Sequence, residues 1–261
     1  SLDGKVLHTS QNLSNSTMGV QKTFFPTGET MDSCTVTLDI VDGYYLGYDP
    51  LGRIWSSAFY GGNNDPQHPV LFYPDGKMRI ESNTLLDETH GPTSYYAPDG
   101  KTVLLEIIYD HNWAYQYRFR QPDGKMSEAK LIPKDHTQVT ACYPNGKTGL
   151  VVEFENGYCN GNFVIYYPSG QAAYSCQFVN DIRDGQETFF YANGKTSVLR
   201  TYEIGDLHGA MEFYYENGQK AYEGNYYHGL GHGDFKKYDK SGKPVHKVSM
   251  YYDRCTADER Y

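Results

Sequence analysis

The residues best suited to chemistry lie near the C-terminus, where HGLGHG (His228–Gly233) sets two histidines four positions apart among three glycines. Imidazoles so spaced serve metal sites, and glycine-rich backbone serves phosphate loops. Comparison along the chain argues against both. His232 precedes Gly233 as His208 precedes Gly209 and His90 precedes Gly91, while Asp184 and Asn160 hold the same place before Gly185 and Gly161. A position that takes histidine, aspartate and asparagine by turns suits a polar turn better than a ligand set. No metal and no cofactor are expected. The chain also lacks GxSxG, HExxH, GxxxxGK[ST] and any GxGxxG placed between a strand and a helix, so no enzyme signature is present. Asp181 and Asp184, or Asp87 and Glu88, would pair as acid and base only if buried, and they read as solvated turn carboxylates. Cys159, in ENGYCNG, falls in a turn where a reactive thiol could be exposed, but spacing nominates no histidine or asparagine partner for it, and a structural or disulfide role is the favoured reading. Asn12 and Asn15 match the glycan-acceptor pattern.

The elements that must position these residues recur. FFPTGE, YDPLGR, FYPDGK, YAPDGK, RQPDGK, CYPNGK, YYPSGQ, FYANGK, YYENGQ and YDKSGK place glycines at 28, 52, 76, 100, 124, 146, 170, 194, 218 and 242. Every step is 24 residues except the one from Gly124 to Gly146, which is 22. Aromatic residues leading into Pro/Asp/Asn/Ser-Gly specify a tight turn whose glycine takes positive φ. A second glycine, nine residues earlier (19, 43, 91, 161, 185, 209 and 233), is read as the opposite turn. Between them run short aromatic, β-prone segments such as NFVIYY and QAAYSCQFV, with no stripe at helical period.

The expected fold is therefore all-β: an elongated single sheet of about ten tandem 24-residue hairpins, twisted into a curved ribbon. Some twenty strands at about 4.8 Å would make it about 95 Å long. Residues 147–261 are regular and end in a cap. Residues 1–146 are divergent: Gln67, Tyr115 and Thr137 take the second-glycine position, and GGNNDPQHP (Gly61–Pro69) forms an irregular turn. Both parts belong to one continuous repeat domain. The short step around LIPKDHTQ (Leu131–Gln138) should kink or break the ribbon.

Composition narrows the function. With 26 Tyr and 12 Phe but 2 Trp, and a net charge of −9, the chain is ring-rich and acidic. Phosphate backbones and anionic lipid reward basic patches, so no nucleic acid is expected and a basic protein partner fits better. No run of 18 apolar residues exists to span a membrane. The chain opens at Ser1, which reads as a processed or truncated product from which any signal peptide is gone; the periplasm or cell surface is expected, with the cytoplasm as the alternative. Cys34, Cys142, Cys159, Cys176 and Cys255 lack CxxC spacing, which disfavours zinc, and their pairing stays open.

The aromatic pair, Asn-Gly-Lys, polar strand and His-Gly or Asp-Gly, best seen in residues 147–243, resemble the MORN repeats and specifically their bacterial variant. The resemblance implies a stack of β-hairpins used for binding, with bacterial members that act as antitoxin or immunity-like proteins. The function expected from it is a non-enzymatic inhibitor that occludes a secreted toxic enzyme, such as a lipase; the alternatives are a binder of glycans or peptides and a membrane-associated scaffold. A single-layer sheet leaves one face open, so one ring of each Tyr doublet should face outward, which nominates Tyr167, Tyr191 and Tyr215 as partner contacts. Departures from the repeat add Trp55, Asp110, His111 and Trp113, the last three in YDHNWAY, and Asp181 and Arg183 in NDIRDG.

Overall fold

The computed structural model describes residues 8–12, 18–37, 40–61, 66–86 and 88–261. Asn15, Asp87 and residues 62–65 of the irregular turn lie outside that set. The chain is all-β, built of tandem antiparallel hairpins.

Ten turns of one kind mark one end of the hairpins. In the third, the Tyr73 amide donates to the Lys77 carbonyl (2.7 Å) and the Gly76 amide to the Tyr73 carbonyl (2.9 Å). This is a type I turn closed by a glycine bulge, and Gly76 sits at φ 82°. The acidic or amide residue ahead of the glycine folds back on the backbone two residues on: Asp123 accepts from the Lys125 amide (2.9 Å) and Asn193 from the Lys195 amide (3.0 Å).

The opposite turns are two-residue loops with both residues at positive φ: His111-Asn112, Asn156-Gly157, Asn180-Asp181, Ile204-Gly205, His228-Gly229 and Tyr252-Asp253. These are type I′ hairpins, whose twist matches that of the strands. The second glycines are therefore not the turns. Gly161 and Gly209 sit a few residues beyond them in β-bulges, where the pairing jumps from Val152↔Phe163 to Phe154↔Cys159 and from Arg200↔Met211 to Tyr202↔Leu207. At Gly161 (φ 108°) an added Cβ would lie 2.2 Å from the Glu153 carboxylate, which accepts from the Asn162 amide (2.7 Å). YDHNWAY likewise keeps the repeat, with His111-Asn112 as an ordinary member of the series.

The strands do not form one continuous layer. Among the described residues they divide into an eleven-stranded sheet ending at Lys130–Leu131, a thirteen-stranded sheet beginning at Thr137–Cys142 and a separate pair, Thr84–Leu85 with Glu88–Thr89, so the ribbon breaks at the short repeat step as expected. The two sheets then lie face to face. Tyr117 meets Phe154 (5.4 Å between ring centres), Tyr95 meets Phe163 (5.1 Å), Arg79 covers Tyr174 (4.5 Å), Arg200 covers Trp55 (5.1 Å) and Phe25 meets Tyr222 (6.1 Å). Partners move apart in sequence as the series leaves the break, which is the geometry of a ribbon folded back on itself. The face expected to be open is the core: Leu104, Leu105, Leu150, Val152, Ile165, Phe213 and Phe235 are all fully buried between the sheets.

Candidate binding surface

Each residue nominated from the sequence has a defined place. Tyr167, Tyr191 and Tyr215 open the type I turns and are half-buried. Their hydroxyls donate to carbonyls of the next repeat: Phe190 (2.8 Å), Tyr214 (2.6 Å) and Tyr238 (2.9 Å). Tyr73 and Tyr143 do the same to Tyr96 (2.7 Å) and Tyr166 (2.6 Å). The rings are latches between repeats rather than free contacts. Asp181 is a latch at the other end, where its carboxylate and its backbone amide bind the Cys159 amide (2.6 Å) and carbonyl (2.9 Å). Asp253 holds Gly231 and Asn112 holds Thr89 in the same way. Trp55 and Arg183 point between the sheets, Trp55 against Arg200 and Arg183 toward Glu187 and Tyr202.

Asp110, His111 and Trp113 remain at the surface, and they start a larger feature. In every type I′ hairpin the residues flanking the turn are paired across it at the rim of the sheet: Asp110↔Trp113, Val179↔Ile182 and Tyr227↔Leu230 among them. Backbone bonds stack these turns in sequence order, from the Gly205 amide to the Arg183 carbonyl and from the Gly229 amide to the Leu207 carbonyl, for example. Flanking side chains are thereby brought into a row. Trp113 (61% exposed) packs on Tyr158 at 5.8 Å, Val179 and Ile182 follow, and then Ile204 (74% exposed). The row ends in a cluster in which His208 meets His228 (4.7 Å) and Tyr227 (5.0 Å), and His232 meets Tyr251 (5.4 Å) and Tyr252 (4.9 Å). Isolated exposed apolar residues are ordinary, but clusters of exposed rings such as those at the two ends of this row are not.

His228 and His232, which opened the sequence argument, serve different neighbours. His228 forms the turn at φ 47° and faces His208, while His232 stacks on tyrosines. Two sets do bring three metal-donor atoms within 4.8 Å of one another: His90, Asp110 and His111, and Glu203, His208 and His228. A tetrahedral zinc site requires ligand atoms about 3.3 Å apart. As they stand the sets are close imidazole–carboxylate contacts, with His111 Nδ1 2.6 Å from Asp110 and His208 Nδ1 3.0 Å from Glu203.

Cysteine chemistry is muted. All five cysteines are free thiols. Cys159 is buried rather than solvent-facing, and burial pushes its thiol well above the ordinary range; burial raises Cys176 to about 11. Only Cys255 is exposed.

Residues 183–203 and 207–226 match the MORN repeat variant family. The matched segments are two consecutive hairpins, and the turn and latch geometry described above extends through their neighbours. The match supports a MORN-repeat protein, a repeat scaffold of the binding kind. No curated protein matches the chain. Among the described residues no helix is long and apolar enough to cross a membrane.

The row of exposed side chains was only partly visible in the sequence. Trp113 and His111 stood out by type, but Ile182, Ile204, Tyr227 and Tyr251 sit where a strand reading expects ordinary core residues. Their signal is positional: each lies in or beside a type I′ turn, and three of those six turns contain no glycine, so composition does not announce them.

Proposed function

We propose that this chain is a non-catalytic scaffold that binds a folded protein through the turn-end row running from Trp113 to Tyr252. The observation that carries the reading is the pair of exposed ring clusters at the two ends of the row, Trp113 on Tyr158 and Tyr227 with Tyr252. Trp and Tyr at its two ends are the residue types that anchor protein interfaces. The net charge of −9 favours a basic partner, by steering encounter and by complementing the charged groups around the row.

The narrower form is an inhibitor that covers the active site of a secreted enzyme. A long row on a rigid sandwich suits occlusion, because little ordering cost is incurred on binding. Such an inhibitor would meet its target outside the cytoplasm, so export belongs to this form. The family likeness supports binding in general, and the acidic charge supports this particular pairing.

The test is a two-part capture experiment in the source cells. Wild-type protein should retain one stoichiometric partner, and the double variant Trp113→Ser, Tyr227→Ser should lose it while keeping its melting temperature within about 2 °C. If the partner is an enzyme, adding the wild-type chain should abolish its activity. Equal capture by both forms would remove the row from the reading, and capture of a glycan or of membrane alone would replace the protein partner.

A further inference from the structure

The interior between the sheets holds an imbalance of charge. Glu187 is fully buried, and four groups converge on its carboxylate: Arg200 (3.4 Å), Arg183 (3.5 Å) and the hydroxyls of Tyr174 (3.0 Å) and Tyr202 (3.3 Å). A third arginine, Arg79, reaches the same region from the facing sheet. It is 4% exposed, and its guanidinium lies over Tyr174 at 4.5 Å and Phe189 at 5.1 Å. Among the described residues it has no carboxylate partner, and its Nε is buried without any acceptor. Three guanidinium groups therefore share one carboxylate, an excess of two positive charges. Stacking on rings satisfies the faces of the Arg79 fork and leaves its Nε–H without an acceptor. A buried cation left so costs several kcal/mol unless something completes it.

A cavity of about 280 Å³ lies beside this group and is lined by both Arg79 and Arg183. Its polar side is completed by Ser82 and Thr93, where the buried Thr93 hydroxyl donates to Ser82 Oγ (3.2 Å) and so leaves the Ser82 proton free for another acceptor. Phe163 and Phe178 form an apolar wall. The cavity is small for a ligand site, polar at one end and ring-lined at the other.

We propose that this cavity is a binding site for a small organic carboxylate, a single carboxylate joined to an apolar or aromatic body. The Arg79 fork takes the carboxylate in bidentate fashion, as guanidinium geometry favours. Ser82 donates a further hydrogen bond, Arg183 adds its charge, and the apolar body packs against Phe163 and Phe178. The site is independent of the turn-end row, and its test does not depend on any protein partner.

The experiment is calorimetric titration of the full chain with benzoate, alongside benzyl alcohol as an uncharged analogue and inorganic phosphate as an anion without an apolar body. Benzoate should bind and raise the melting temperature with concentration, at least tenfold more tightly than either control. Arg79→Met should weaken benzoate at least tenfold while the ligand-free chain still melts in one cooperative transition. If that variant does not fold, Thr93→Val provides the second reading, with an expected loss of about threefold or more, since Thr93 positions Ser82. Absence of benzoate binding at tens of millimolar, equal affinity for benzyl alcohol, or unchanged affinity in the folded variants would overturn the proposal.

Discussion

Glu187 is the residue on which the interior turns. Burial alone would raise its carboxyl, but the charges of Arg200, Arg183 and Arg79 outweigh that and hold it below its ordinary value. A group depressed in the folded state contributes stability that is complete above its unfolded value, about 4.3, and is lost as the pH falls through the folded value. Wild-type protein should therefore keep its stability to about pH 4 and lose it below. Glu187→Gln should cost about 3 kcal/mol at pH 7, since it leaves buried guanidinium groups uncompensated, and should flatten the acid limb of the profile. Denaturant melts at a series of pH values would check both, and an unchanged midpoint would contradict the network. Thiol labelling provides a second check at this scale: in native protein a maleimide should modify Cys255 within minutes and leave Cys159 and Cys176 unmodified until the chain unfolds. Little of this was legible in the sequence: Glu187 and Arg200 face each other across one hairpin, but Arg79 lies in a distant repeat and meets them only because the two sheets are stacked. For Cys159 the turn position left exposure open and a structural or disulfide role was favoured; the thiol is free and buried, because the neighbouring repeat covers it through Asp181.

At the scale of the hairpin the sequence was a better guide. The ten Gly positions of the type I turns were all read correctly, since Pro-Asp-Gly-Lys carries its own mechanism in proline's fixed φ, the side chain that folds back, and glycine's freedom. Gly194 (φ 82°) tests this: Gly194→Val should lower stability by about 1 kcal/mol, a few degrees in melting temperature, mostly from strain, because an added Cβ approaches nothing closer than the Gln171 side chain at 3.4 Å. A melting temperature unchanged within error would rule out the turn. The second glycine misled because turn and bulge both admit glycine, and the true type I′ turns use Asn-Asp, His-Asn and Tyr-Asp as readily as Asn-Gly. The tyrosine doublets were expected to split between packing and contact. Instead the second ring of each bridges to the carbonyl 23 residues ahead, a bond that period alone suggests only once the strands are known to be in register.

The whole molecule departs most from the ribbon read in the sequence. A single sheet about 95 Å long would have a radius of gyration of about 27 Å, whereas a compact chain of this length has about 18 Å. Small-angle scattering should give a value near 18–20 Å, and a value near 27 Å would mean that the sheets do not face each other in solution. The break at the short step was legible as a change of period. What it leads to was not, because contacts such as Phe25–Tyr222 and Glu29–Lys237 join residues about two hundred apart and leave no local pattern. One general clue was available: a ring-rich layer with an apolar face needs a cover, and the chain supplies its own.

That cover constrains how such a chain can grow. An open array of repeats gains or loses a unit at either end at little expense, since each unit touches only its neighbours. Here the opening repeats lie against the closing ones, through Phe25 on Tyr222 and the 2.7 Å Glu29–Lys237 pair. Duplicating one hairpin in one arm would leave it without an opposite number and would shift every facing pair beyond the insertion. Descendants of this chain that differ in length should therefore differ by hairpins added to both arms at once, and the two arms inherit their changes as a couple.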